Sequence, residues 1–117
     1  MGYALPAALG AKLAQPNRQV VAVCGDGAFQ MSLCELATVV ASHAPLKVVV
    51  FDNRRLGMVR EYQNARYARR HIGTHMDGNP DFVALCQAYG IPAALAKNNR
   101  EAERLAREML QIGRAHV

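Results

Sequence analysis

Residues 19–53 read QVVAVCGDGAFQMSLCELATVVASHAPLKVVVFDN. Residues 19–24 (QVVAVC) and 47–51 (KVVVF) are short, apolar and rich in valine. Runs of that length without a polar face predict strands buried in a parallel sheet. Each stops at a polar loop, Gly25-Asp26-Gly27 after the first and Asp52-Asn53-Arg54-Arg55 after the second. Between them, residues 29–42 predict a helix with Met31, Cys34, Leu36, Val39 and Val40 on its apolar face, and His43-Ala44-Pro45 stops it. Strand, helix, strand in this order predicts a parallel sheet with right-handed crossovers.

Working outward, residues 4–14 carry apolar side chains at helical spacing, with Pro6 near the start where proline is tolerated. Gln15-Pro16-Asn17-Arg18 breaks that helix. Residues 56–63 read as a helix and residues 66–78 as a loop. Asn79 is placed as the N-cap and Pro80 as the first position of a helix reaching about Tyr89, ended by Gly90-Ile91-Pro92. Residues 93–96 suggest a short strand, and residues 99–110 a helix laced with pairs such as Glu103 and Arg107. The class is α/β, a parallel sheet flanked by helices.

Loops that follow parallel strands lie at the carboxyl edge of a sheet, where ligands bind. Asp26 and Asn53 are 27 residues apart in the chain, the length of one loop, helix and strand. Neighbouring strands run about 4.8 Å apart, so the two side chains are expected to converge. A carboxylate and an amide oxygen are hard ligands suited to Mg2+, which is held by one or two such groups plus phosphates and water. Gly25 and Gly27 let the backbone approach an anion, and the following helix is expected to direct its free N–H groups there. Together these suggest a magnesium-diphosphate site. A dinucleotide site is the competing reading, since Gly25-x-Gly27 follows a strand and Asp52 ends the next. The third glycine position is Gln30, however, which departs from that fingerprint.

From Gly25 to Asn53 the chain resembles the signature of thiamine-diphosphate enzymes, which begins GDG and ends in a paired asparagine. GYALPAALGAKLAQP, LGMVREYQ and NPDFVALCQAYGIPA resemble the acetolactate synthase large-subunit group in particular, out to about Met109. The resemblance implies a thiamine-diphosphate-binding, Rossmann-like fold that is incomplete here. Residues 1–110 would be part of the cofactor-binding domain, and residues 111–117 (QIGRAHV) a non-native or disordered tail. Met1 is read as an internal methionine of a longer chain.

Roles follow from the resemblance at matching positions. Asp26 and Asn53 would ligate Mg2+ through side chains, and Arg55 through its carbonyl. Gly25, Gly27 and Ala28 would meet the diphosphate with backbone. Met1 would prop the cofactor in its bent form, Met58 would line the thiazolium side of the pocket, and Leu56 and Gly57 would bind the cofactor beside it. Gln30 and Glu35 match family positions, Glu35 equally well as a structural helix residue. Asp52 departs from the usual first asparagine. Tyr62 stands where many acetolactate synthases have tryptophan, a position tied to choice of the second keto acid.

The implied parent activity condenses pyruvate with a second 2-keto acid such as 2-ketobutyrate, in branched-chain amino-acid synthesis. The implied partners are a homodimer or tetramer and a small regulatory subunit, with FAD in a middle domain. The activating glutamate would lie in a separate N-terminal domain, so the chain alone is expected to be inactive. Glyoxylate carboligase, oxalyl-CoA decarboxylase and a non-catalytic diphosphate-binding module are the alternatives.

The remaining features read more plainly. The formal charge is +5, and six arginines fall between Arg54 and Arg70. A charge run without an aromatic RNA-binding signature reads as a solvated or subunit-facing surface rather than a nucleic-acid site. Cys24, Cys34 and Cys86 lack CxxC spacing, which argues against a disulfide framework or zinc site. Cys24 and Cys34 read as small buried hydrophobes. Tyr3, Phe51, Phe82 and Tyr89 read as core or half-buried packing, and Arg60 and Arg66 as surface ion-pairing residues. His71 and His75 are four apart, but Gly73 between them favours loop residues over a helical metal pair. No apolar run is long enough to span a membrane and no signal peptide is evident, so a cytoplasmic location is the default.

Overall fold

The computed structural model describes residues 1–111. The elements are α1 (Ala4–Ala14), β1 (Val21–Gly25), α2 (Asp26–Gln30), α3 (Glu35–Ala41), β2 (Lys47–Phe51), α4 (Gly57–Arg66), α5 (Phe82–Ala88) and α6 (Asn99–Gln111). β1 and β2 form a parallel two-stranded sheet in the register Val21 with Lys47 through Gly25 with Phe51. The α/β class and the parallel pairing are as expected.

The core lies between the sheet and the first three helices. Leu5 and Leu9 of α1, Ala22 and Cys24 of β1, Phe29 of α2, Leu36 and Val39 of α3, and Val48 of β2 are buried together. Phe29 is fully enclosed and meets the Phe82 ring edge-on, with centroids 5.5 Å apart. Edge-to-face aromatic pairs add about 0.5–1.5 kcal/mol beyond the area they bury. Lys12 is buried too. Its Nζ donates to the carbonyls of Pro16 (2.8 Å) and Arg18 (2.6 Å), which ties the turn after α1 to the helix.

Several expectations are corrected. β1 alternates, with Ala22 and Cys24 buried and Val23 59% exposed, so among the described residues one face of β1 is covered and the other is open. Phe51, at the end of β2, and Tyr3, ahead of α1, are exposed too, while Phe82 is half-buried as expected. The helix expected over residues 29–42 begins earlier, at Asp26, and is interrupted at residues 31–34. That turn leaves Cys34 exposed, whereas Cys24 and Cys86 are buried free thiols.

The helix after Pro80 is capped by Asp81, not Asn79. Asp81 has extended backbone (φ −68°, ψ 103°), and its Oδ1 accepts from the N–H groups of Val83 (2.9 Å) and Ala84 (3.0 Å). With proline fixing the preceding residue, the acid two positions on reaches the free N–H groups first. Residues 93–96 form no strand, since no described residue pairs with them.

α6 starts on a reciprocal cap: Asn98 Oδ1 accepts from the Glu101 N–H (2.9 Å), and Glu101 Oε2 accepts from the Lys97 N–H (2.9 Å). The Lys97 N–H first, and the Asn98 Nδ2 donating to Oε1 (3.1 Å), hold the Glu101 carboxyl below its ordinary range. The helix includes Gln111, the first residue of the expected tail, and residues 112–117 lie outside the described residues. No helix among the described residues is long and apolar enough to cross a membrane.

Candidate functional site

The sheet register puts the two loops side by side. Gly25 pairs with Phe51 at the ends of the strands, so Asp26 and Asp52 are the next residues on the same carboxyl edge. Asp26 opens α2 behind an extended Gly25 (φ −82°, ψ 162°) and is only 1% exposed. Asp52 and Asn53 each close a small turn on their own backbone. Asp52 Oδ1 accepts from the Arg54 N–H at 3.2 Å, and Asn53 Oδ1 accepts from the Arg55 N–H at 3.0 Å. Arg54 adopts a left-handed φ of 54°, which turns the chain into α4.

A third segment completes the edge. Arg55 and His75 form an antiparallel bridge, with the Leu56 N–H donating to Thr74 O (2.9 Å) and the Met76 N–H to Arg54 O (3.0 Å). The bridge leaves the Arg55 carbonyl out of both bonds. It brings residues 74–79 over the loops, where Asn79 becomes the link. Asn79 Nδ2 donates to Asp26 Oδ2 (2.7 Å) and to Asp52 Oδ1 (2.9 Å), and Asn79 Oδ1 accepts from Gln30 Nε2 (2.5 Å).

The other expected site residues are distributed as follows. Gly27 is buried beneath Leu56 and Met76, Ala28 is half-buried, and Gly57 faces the Asn53 amide. Met58 is 79% exposed in the first turn of α4. Tyr62 is exposed further along α4, its ring centroid 6.0 Å from that of Tyr67. Met1 is exposed at the start of the chain, and Gly2, at φ 74°, lies against Met31 just beyond Gln30. Glu35 opens α3 and is half-buried.

The histidines have their own partners: His71 Nε2 lies 2.6 Å from Asn64 Oδ1, and His75 Nε2 lies 3.5 Å from Arg60 Nη1. Neither is helical, so the i, i+4 metal geometry is not formed. Desolvation and then the Arg60 charge lower the His71 pKa. Arg60 therefore meets an imidazole where a carboxylate partner was expected.

The roles of Asn79 and Met76 were missed from sequence. The signal was the spacing of Asn79 and Asp81, two potential caps of which one helix uses one. The other is then free to act elsewhere.

Residues 1–117 match the family described as thiamine pyrophosphate enzyme, C-terminal TPP binding domain, and the chain belongs to that family. Among similar proteins, the acetolactate synthase isozyme 2 large subunit of Escherichia coli (strain K12) is 50% identical over 91 residues, which cover 78% of this chain and 17% of that protein. A probable acetolactate synthase large subunit of Methanococcus aeolicus is 38% identical over 117 residues, all of this chain and 20% of that protein. The fold matches the Rhodococcus jostii RHA1 thiamine diphosphate-dependent 4-hydroxybenzoylformate decarboxylase with a TM-score of 0.90 at 26% identity, covering 99% of this chain and 22% of that one. The chain thus spans about a fifth of the length of these relatives.

Proposed function

We propose that this chain is the diphosphate- and Mg2+-holding part of an acetolactate synthase-like carboligase, which joins pyruvate to a second 2-keto acid. The observation that carries the proposal is the buried Asp26 carboxylate at the end of β1, beside the Asp52-Asn53 loop at the end of β2. Among the described residues its one direct side-chain partner is a neutral amide, Asn79. A buried carboxylate with so little compensation favours a cation.

The donor set fits Mg2+. Asp26 offers a carboxylate oxygen, the Asn53 Oδ1 has a second lone pair beyond the one the Arg55 N–H takes, and the Arg55 carbonyl lies outside the bridge bonds. Gly25, Gly27 and Ala28 would present backbone to the diphosphate, with Leu56, Gly57, Met58 and Met1 around the rest of the cofactor. Thiamine diphosphate supplies the electron sink that makes the carbon–carbon chemistry possible. The residues of this chain hold and orient it, and none is assigned to proton transfer. Tyr62, exposed on α4, is the candidate for choosing the second keto acid.

A second reading, a thiamine-diphosphate decarboxylase, draws support from the close structural match to one. The test is calorimetric titration of the full chain with thiamine diphosphate, with and without Mg2+, on the native protein and on Asp26→Asn. Magnesium-dependent binding is expected in the native protein and its loss in the variant. Equal affinity in the two would sink the metal assignment. Acetolactate formed from pyruvate when this chain is joined to the domain that carries the activating glutamate would separate the carboligase from the decarboxylase, which would release an aldehyde instead.

A further inference from the structure

Resting on the magnesium reading above, we propose that Asn79 is a positioning residue. It holds Asp26 and Asp52 together and aims Asp26 at the cation. The amide orientation is fixed by its neighbours. Two carboxylate oxygens, Asp26 Oδ2 and Asp52 Oδ1, lie 2.7 and 2.9 Å from Nδ2, where an amide oxygen would be repelled. Its own oxygen faces the Gln30 Nε2 donor at 2.5 Å.

Both N–H bonds of one group are therefore spent on two like charges that the parallel register sets side by side. With Oδ2 tied to Asn79, Asp26 keeps Oδ1 as its free ligand atom. The carboxylate is then held in one rotamer, the arrangement that groups behind a metal ligand commonly enforce. Gln30, in α2, fixes Asn79 from behind, so the order of action runs from Gln30 through Asn79 to Asp26.

Two measurements on the full chain test this. In the first, without divalent cation, thermal unfolding is followed for Asn79→Ala, Asp52→Asn and the double variant. Loss of Asn79 leaves the two carboxylates facing each other, so Asn79→Ala is expected to unfold several degrees lower and Asp52→Asn to recover part of that loss. Strictly additive effects would overturn the clamp.

In the second, Mg2+ is titrated in the presence of thiamine diphosphate. Asn79→Ala is expected to weaken the apparent Mg2+ affinity about 10–100-fold, the usual range for a group behind a metal ligand. Gln30→Leu, which leaves the segment carrying Asn79 unchanged, is expected to weaken it less, and the Gln30→Leu/Asn79→Ala pair no more than Asn79→Ala alone. A purely structural Asn79 would lower the unfolding temperature and leave the Mg2+ affinity unchanged, which overturns the proposal. Absent Mg2+ binding in the native protein would instead remove the functional reading on which it rests.

Discussion

Gly27, in the first turn of α2, and Leu56, in the loop after β2, are packed so closely that a Cβ built on Gly27 would lie 2.5 Å from Leu56 Cδ2. Met76 Sδ would be 3.0 Å away. Gly27→Ala therefore forces both side chains to move. Both are flexible ends, which puts the cost near the lower limit of the ~1–3 kcal/mol typical of overpacking. In a Leu56→Ala background the same substitution is expected to cost less. Urea unfolding of the four proteins measures the difference. Gly27→Ala with native stability would show that the space opens freely.

Asp81→Ala is expected to destabilise the protein by about 1 kcal/mol, the usual value of an N-cap. Two N–H groups, those of Val83 and Ala84, lose their acceptor. Faster hydrogen exchange at those two amides is the specific readout. Asn79→Ala, by contrast, should leave their exchange unchanged, because Asn79 faces the carboxylates and not the helix.

Phe29→Ala is expected to cost about 3–5 kcal/mol, as for other buried aromatic truncations. Phe29 is fully enclosed at the junction of α2 with the sheet. Phe82→Leu keeps most of the apolar volume and removes mainly the edge-on ring contact, so its cost should be about 0.5–1.5 kcal/mol. Equilibrium denaturation that ranks the two in the opposite order would contradict the assignment of the core.

The three thiols should separate by reactivity. Cys34 is exposed and is expected to react at once with a disulfide reagent at pH 8, while buried Cys24 and Cys86 wait for the protein to open. Burial raises the Cys86 thiol from an ordinary 9.0 to about 11. A raised folded-state value means that its contribution is intact below pH 9 and is lost as pH climbs through about 11. Cys86→Ala should therefore flatten the alkaline decline in stability over that window, at a lower starting stability. An unchanged slope would show that Cys86 does not ionise on unfolding.

Most of the element order was legible in the residues, because it rests on local signals. Valine runs ending in Gly25-Asp26-Gly27 and Asp52-Asn53 mark the ends of two strands. Pro16, Pro45 and Gly90 mark breaks. The exposed face of β1 was not legible. A valine run looks the same whether one face or both are covered, and the number of strands and the side the helices take are decided by packing. The division into α2 and α3 escaped notice for a similar reason. Met31 and Cys34 fit a helical period, yet the turn there leaves both exposed.

What the sequence determined by itself is the chemistry available at one sheet edge. Two acids, an asparagine and flanking glycines follow two apolar strands, in a pattern that belongs to the thiamine pyrophosphate family. What only the tertiary structure decided is which of those groups meet. Asn79 lies 53 residues from Asp26, and a helix cap was the local role its neighbours suggested. Its amide reaches two carboxylates because the Arg55–His75 bridge carries residues 74–79 back across the loops. That contact depends on distance in space, set by the parallel register and the bridge, and no periodicity along the chain encodes it.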